Sequence, residues 1–154
     1  MRKKILLIFL SIYTLHVQGQ DGPGFQPYFS AVVVKDLNAS SKWYQSVFGL
    51  KVKNEMMDPN QTYKIHILES SNYMLEILEL KGSLVKNDIL KGRPEGTELQ
   101  GHSKIGFKIS NSDEWLAHLR KLKVDVPHVW TDQKTGKKNF IVLDPDGNLV
   151  QFFE

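Results

Sequence analysis

The second half of this chain restates the first at a fixed offset of 75 residues. Phe29-Ser-Ala-Val-Val-Val-Lys-Asp36 corresponds to Lys104-Ile-Gly-Phe-Lys-Ile-Ser-Asn111, and Glu76 falls on Gln151. Each copy is a short apolar strand, then an acid or amide, then a helical pattern. A repeat of this size is one supersecondary unit used twice. The fold class it predicts is α+β: two βαβββ modules, about 27–80 and 102–154, joined by a linker over 81–101, with a cavity between the copies.

Local signals fill in the elements. Phe29 to Lys35 is strand-like, with three consecutive valines. Asn38 is the expected N-cap of a helix through Phe48, with Trp43, Tyr44, Val47 and Phe48 on one face and Gly49 as its C-cap. Strands are expected over Leu50 to Met56, Thr62 to Glu69 and Tyr73 to Leu80. In the second copy Lys104 to Ser110 is a strand. Ser112 is the expected cap of a helix through Leu122, with Trp115, Leu116, Leu119 and Leu122 as its buried stripe. Strands over Lys123 to Val129, Lys138 to Leu143 and Asn148 to Phe153 follow. Asp144-Pro-Asp-Gly-Asn148 turns the chain between the last two. The linker holds five glycines and prolines and is long for an idle connection, so it reads as a lid, a binding loop or a plain spanner.

Residues 1–19 have a different character. Arg2, Lys3 and Lys4 precede an apolar run from Ile5 to Leu15, and Val17-Gln18-Gly19 offers small residues for cleavage. That is the layout of a secretory signal peptide. The apolar run is about half the ~20 residues a spanning helix needs. The expected location is therefore exported, periplasmic or extracellular, with no membrane attachment after cleavage. The chain carries 20 basic and 17 acidic residues. Three of the basic residues and none of the acidic ones lie in the leader, so the remainder is balanced. The basic pI thus gives no support for nucleic-acid binding, which needs a clustered basic face. Without cysteine, stability rests on packing alone.

Phe29 to Leu50 (FSAVVVKDLNASSKWYQSVFGL) together with Asp144 to Glu154 (DPDGNLVQFFE) resembles the vicinal oxygen chelate superfamily, which includes glyoxalase I, extradiol dioxygenases, and fosfomycin and bleomycin resistance proteins. The resemblance covers roughly Pro27 to Glu154, with Phe48 where Leu is usual. It implies a cup-shaped sheet in which the modules pair within one chain or between chains, and dimers are common in the superfamily. In its metal-using members each module supplies two ligands, one at the start of its first strand and one on its last. Carried over, those positions are Phe29, Glu76, Lys104 and Gln151. Phe29 has no donor atom, and Lys104 repels a cation, so the inherited metal site reads as lost and no cofactor is expected. The alternative is a divalent metal held by Glu76, His102 and Gln151, if a slip or bulge brings His102 in place of Lys104.

The expected function is an exported, metal-independent binder of a small-molecule ligand. Phe29, Glu76, Lys104 and Gln151 would line the cup, and a Glu76–Lys104 pair would leave donors for an anionic or carbonyl ligand. His66, by strand parity, and Trp130, beside His128, are further ligand-binding candidates. The competing reading is a metal-dependent lyase, isomerase or dioxygenase. The sequence singles out no catalytic residue. No nucleophile elbow, phosphate-binding loop or dinucleotide fingerprint is present.

Overall fold

The computed structural model describes residues 28–154; the leader falls outside them. The element order is β1 (Phe29–Val33), α1 (Leu37–Phe48), β2 (Lys51–Met57), β3 (Tyr63–Glu69), β4 (Met74–Leu80), α2 (Lys86–Leu90), β5 (Lys104–Lys108), α3 (Ser112–Lys121), β6 (His128–Thr131), β7 (Lys138–Leu143) and β8 (Leu149–Phe153). Apart from α2, which lies in the linker, this is βαβββ twice.

The 75-residue repeat survives at the level of hydrogen-bond register. One sheet has the order β1-β4-β3-β2, the other β5-β8-β7-β6. In the first, Phe29 pairs with Met74 and Ala31 with Glu76, in parallel. In the second, Lys104 pairs with Leu149 and Gly106 with Gln151, also in parallel. Every one of these pairs maps onto its counterpart.

The helix caps also obey the repeat, and here the expectation is corrected. Asp36, not Asn38, caps α1: its Oδ1 accepts a 2.9 Å bond from the Ala39 amide. Asn111, not Ser112, caps α3, accepting from the Glu114 amide at 3.1 Å. Both sit at β-region φ/ψ and take up an amide that the first turn would otherwise leave orphaned. Gly49 ends α1 as expected, at φ +67, with its N–H on the Gln45 carbonyl. Leu119 is fully buried on α3, but Leu122 lies beyond the helix end and is exposed. The strand expected over Lys123–Val129 starts only at His128. Lys123 takes a left-handed φ of 58, and Pro127 has no amide to offer a ladder.

Packing decides how the modules meet. Leu37 and Tyr44 of α1 join Leu68, Leu75 and Ile77 in one core. Val47 of the same helix joins Leu119, Phe140, Val142, Val150 and Phe152 in the other. Trp43 and Phe48 touch both. The Phe48 ring stacks on Phe152 at 5.5 Å and lies 4.6 Å from Phe107. Both sheets therefore press their covered faces onto the same helical layer, and their other faces point away from each other. Among the described residues, the open faces of the two sheets enclose no common cup.

The Asp144–Asn148 turn fastens this arrangement. Asp146 accepts from the Lys35 amide at 2.8 Å and from the Ser40 hydroxyl at 2.9 Å. His118 on α3 bonds the Val47 carbonyl through Nε2 at 3.0 Å.

Candidate functional site

Alternation along each strand sorts the candidate residues by face. Leu75 and Ile77 of β4 are core residues, so Met74, Glu76 and Leu78 lie on the open face. Register then adds Phe29, Ala31 and Val33 from β1, and Ile65 and Ile67 from β3. Tyr28, Phe29, Ile67, Met74 and Glu76 bound a small cavity of about 140 Å³. In the second module Val150 and Phe152 are core. Lys104, Gly106, Gln151, Ile141, His128 and Trp130 share the open face.

Phe29 with Glu76, and Lys104 with Gln151, are thus brought together in pairs, one pair per module. The two pairs lie on outward faces of opposite modules and do not meet in one chain. Trp130 joins the second pair's face. Its neighbour His128 is a site candidate in its own right: His128, Ile141, Gln151 and Gly106 form one continuous row across four strands. Parity with Trp130 was the signal that could have promoted it.

Register separates His66 from this set. It pairs with Ile77 on the covered face, the face of Leu68 and Leu75. Its Nδ1 is buried without a partner, and Nε2 lies 3.8 Å from Glu55. His102 precedes β5, is exposed, and takes no part in the strand. The ladder starts at Lys104 without a bulge, so no slip places the imidazole where Lys104 stands.

Gln151 is the most deeply set polar member, only 3% exposed, and its Oε1 makes no hydrogen bond among the described residues. A buried acceptor left unpaired costs about 1–3 kcal/mol, which a ligand donor would recover. The cover over this row is aromatic. A Cβ added to Gly106 would stand 2.9 Å from Cε2 of Phe153, so the Phe153 ring leans across Gly106 beside Gln151. Ala31 occupies the matching place in the first module, next to the open cavity beside Glu76.

The Glyoxalase/Bleomycin resistance protein/Dioxygenase superfamily model matches residues 26–152. The chain belongs to this superfamily. A glyoxalase family protein from Enterococcus faecalis superposes with a TM-score of 0.72 at 22% identity, over 84% of this chain and 97% of that one. A FosX fosfomycin resistance protein variant from Listeria monocytogenes, complexed with Mn(II) and dihydroxypropylphosphonic acid, gives 0.62 at 17% identity, over 83% and 90%. In sequence, the uncharacterized protein YaeR of Escherichia coli (strain K12) is 22% identical over 130 residues, 84% of this chain and 95% of YaeR.

The superfamily often uses a divalent metal, and the side chains at the four positions test that fit. A phenyl ring offers no lone pair, and an ammonium offers positive charge. Only the Glu76 carboxylate and the Gln151 amide oxygen remain, two donors where a stable site takes four or more. Among the described residues no three His, Asp or Glu side chains gather as a metal would require. The residues at these positions do not fit a bound cation.

Proposed function

We propose that this protein is an exported, metal-independent small-molecule binder whose cup is completed by a second copy of the chain. The observation that carries this reading is the split of the four positions onto two outward faces of opposite character. One presents the carboxylate of Glu76 beside Phe29, the other the ammonium of Lys104 beside Gln151. A cavity of about 140 Å³ on one face is well short of the ~300–1,000 Å³ of ordinary ligand sites. Apposing the first module of one copy with the second module of another encloses a larger volume. It also brings acid and amine together, and covers Val33, Met56, Trp130 and Leu143, all more than a third exposed in the single chain.

In such a cup Lys104 takes the place a cation holds in metal-using relatives. It pairs with the Glu76 carboxylate and turns spare donors toward a carbonyl or anionic oxygen. Gln151 receives a ligand N–H or O–H on its unpaired oxygen. Phe29, Ile67 and Trp130 give the apolar walls, with Trp130 suited to stack on a planar group.

Sedimentation and charge-swap variants test the assembly. The wild-type chain is expected to be a dimer, Glu76→Lys and Lys104→Glu each to weaken it, and the two changes together to restore it. A monomer at micromolar concentration overturns the reading. Elemental analysis and melting with added Ni, Zn, Mn or Fe test metal independence. A large metal-dependent rise in Tm would replace the binder with a metal-dependent lyase, isomerase or dioxygenase. Export is supported by the basic start and apolar run of residues 1–19, and mass spectrometry of the periplasmic or secreted form should give a chain beginning after Gly19.

A further inference from the structure

A roomier cavity than the one beside Glu76 lies at the end of the first sheet, where it reaches the cup face at Val33 and Leu80. It measures about 700 Å³, within the range of cofactor-sized ligand sites. It sits where the ends of β1 and β4, the β2–β3 turn, the linker and the Asp144–Asn148 turn converge, so both modules wall it. The linker supplies a full side, including Lys81 and Lys86.

The charges around it do not balance. Lys35, Lys64, Lys81 and Lys86 line the cavity, against Glu79 and Asp146. Lys64 is bonded to Glu79 at 2.6 Å, and Lys86 is paired with Glu98 at 3.0 Å. Both Asp146 oxygens are already occupied, by the Lys35 amide and the Ser40 hydroxyl. The ammonium groups of Lys35 and Lys81 join no ion pair among the described residues. Counting Glu98 with the Lys86 it pairs, four lysines stand against three carboxylates, a surplus of one positive charge, and the ammonium groups of Lys35 and Lys81 in one concave site raise the local concentration of anions.

We propose that this cavity is a second binding site, for a small organic anion carrying phosphate or carboxylate groups, held chiefly by Lys35 and Lys81. The linker is then a wall of that site, which gives a function to a segment far longer than the connection requires. Lysine suits the role, since it binds phosphate as a point charge.

Calorimetric titration of the full chain in low-salt buffer tests this, with glucose 6-phosphate and citrate as the phosphate and carboxylate probes and glucose as the neutral control. Binding of either anion, weakened by added salt and absent for glucose, is expected. The double variant Lys35→Glu/Lys81→Glu should weaken it by at least about tenfold. Lys134→Glu, an exposed lysine remote from the cavity, should leave it unchanged. Both lysines of the double variant are exposed, so its fold is expected to persist, and its melting curve verifies that. The proposal is overturned if neither anion binds, if glucose binds as well as its phosphate, or if the folded double variant binds like the wild type. None of these results bears on the dimer, which sedimentation reads separately.

Discussion

The phenol of Tyr44 donates a 2.9 Å hydrogen bond to Oδ2 of Asp144, across a sequence separation of 100 residues. Tyr44 is fully buried and Asp144 nearly so. Burial first, and then the Asp144 charge, push the tyrosine's pKa far above its ordinary value. Asp144 also accepts from the Asp146 and Asn148 amides and from the Asn148 side chain. One carboxylate therefore shapes the turn and locks it to α1 of the other module. Tyr44→Phe removes one donor and leaves the turn's own three. Unfolding in urea should show a loss of about 1.5–3 kcal/mol, the range for a bond to a charged group, with the m-value unchanged. A loss below a few tenths of a kcal/mol would mean the bond contributes nothing net.

The reassigned caps make a paired prediction. Asp36→Ala and Asn111→Ala should each cost about 1 kcal/mol. Asn38→Ala, at an exposed position inside α1, should be close to neutral. Chemical denaturation of the three variants checks this; equal losses for Asp36 and Asn38 would return the cap to Asn38.

Glu79 gives a pH dependence with a definite sign. The Lys64 ammonium and then the Leu37 amide hold its carboxyl below the ordinary carboxylate range. The folded pKa is lower than the unfolded one, so the stabilisation is complete above the unfolded value of about 4.3. It is lost as pH falls through the depressed folded value. Glu79→Gln should flatten the acid limb of a stability–pH curve below about pH 4.5 while leaving the neutral region's slope unaltered. An acid limb identical to wild type would remove Glu79 from the account.

Gly106 marks a close approach that can be probed directly. An alanine there meets the Phe153 ring edge at 2.9 Å, and that ring is 41% exposed and free to swing outward. Gly106→Ala should therefore cost less than the ~1–3 kcal/mol of a true overpacking change. It should also raise the solvent exchange of the Gln151 side-chain amide, read by NMR. A large loss of stability would show that Phe153 is fixed in place.

The architecture was legible because its evidence is local and repeated. Strand alternation, the Gly49 stop and the matched halves lie within short stretches of sequence, and the offset of 75 makes Glu76 and Gln151 equivalent positions, as their registers with Ala31 and Gly106 bear out. The caps were misread by one or two residues. Asp36, Asn38, Asn111 and Ser112 are all competent acceptors, and only backbone φ/ψ at each position chooses between them. The placement of His66 failed for a related reason: its parity is legible, but which parity faces the helix depends on what α1 covers.

By itself, the sequence determined two βαβββ units and a cup position set holding Phe29 and Lys104 in place of metal donors. Tertiary packing alone decided how the units meet. Trp43, Val47 and Phe48 give α1 a second apolar face, and burying it against Phe107, Leu119 and Phe152 turns the two open sheet faces outward. Periodicity shows that α1 is apolar on more than one side. It does not say which sheet covers each side, because that depends on contacts between residues some hundred positions apart.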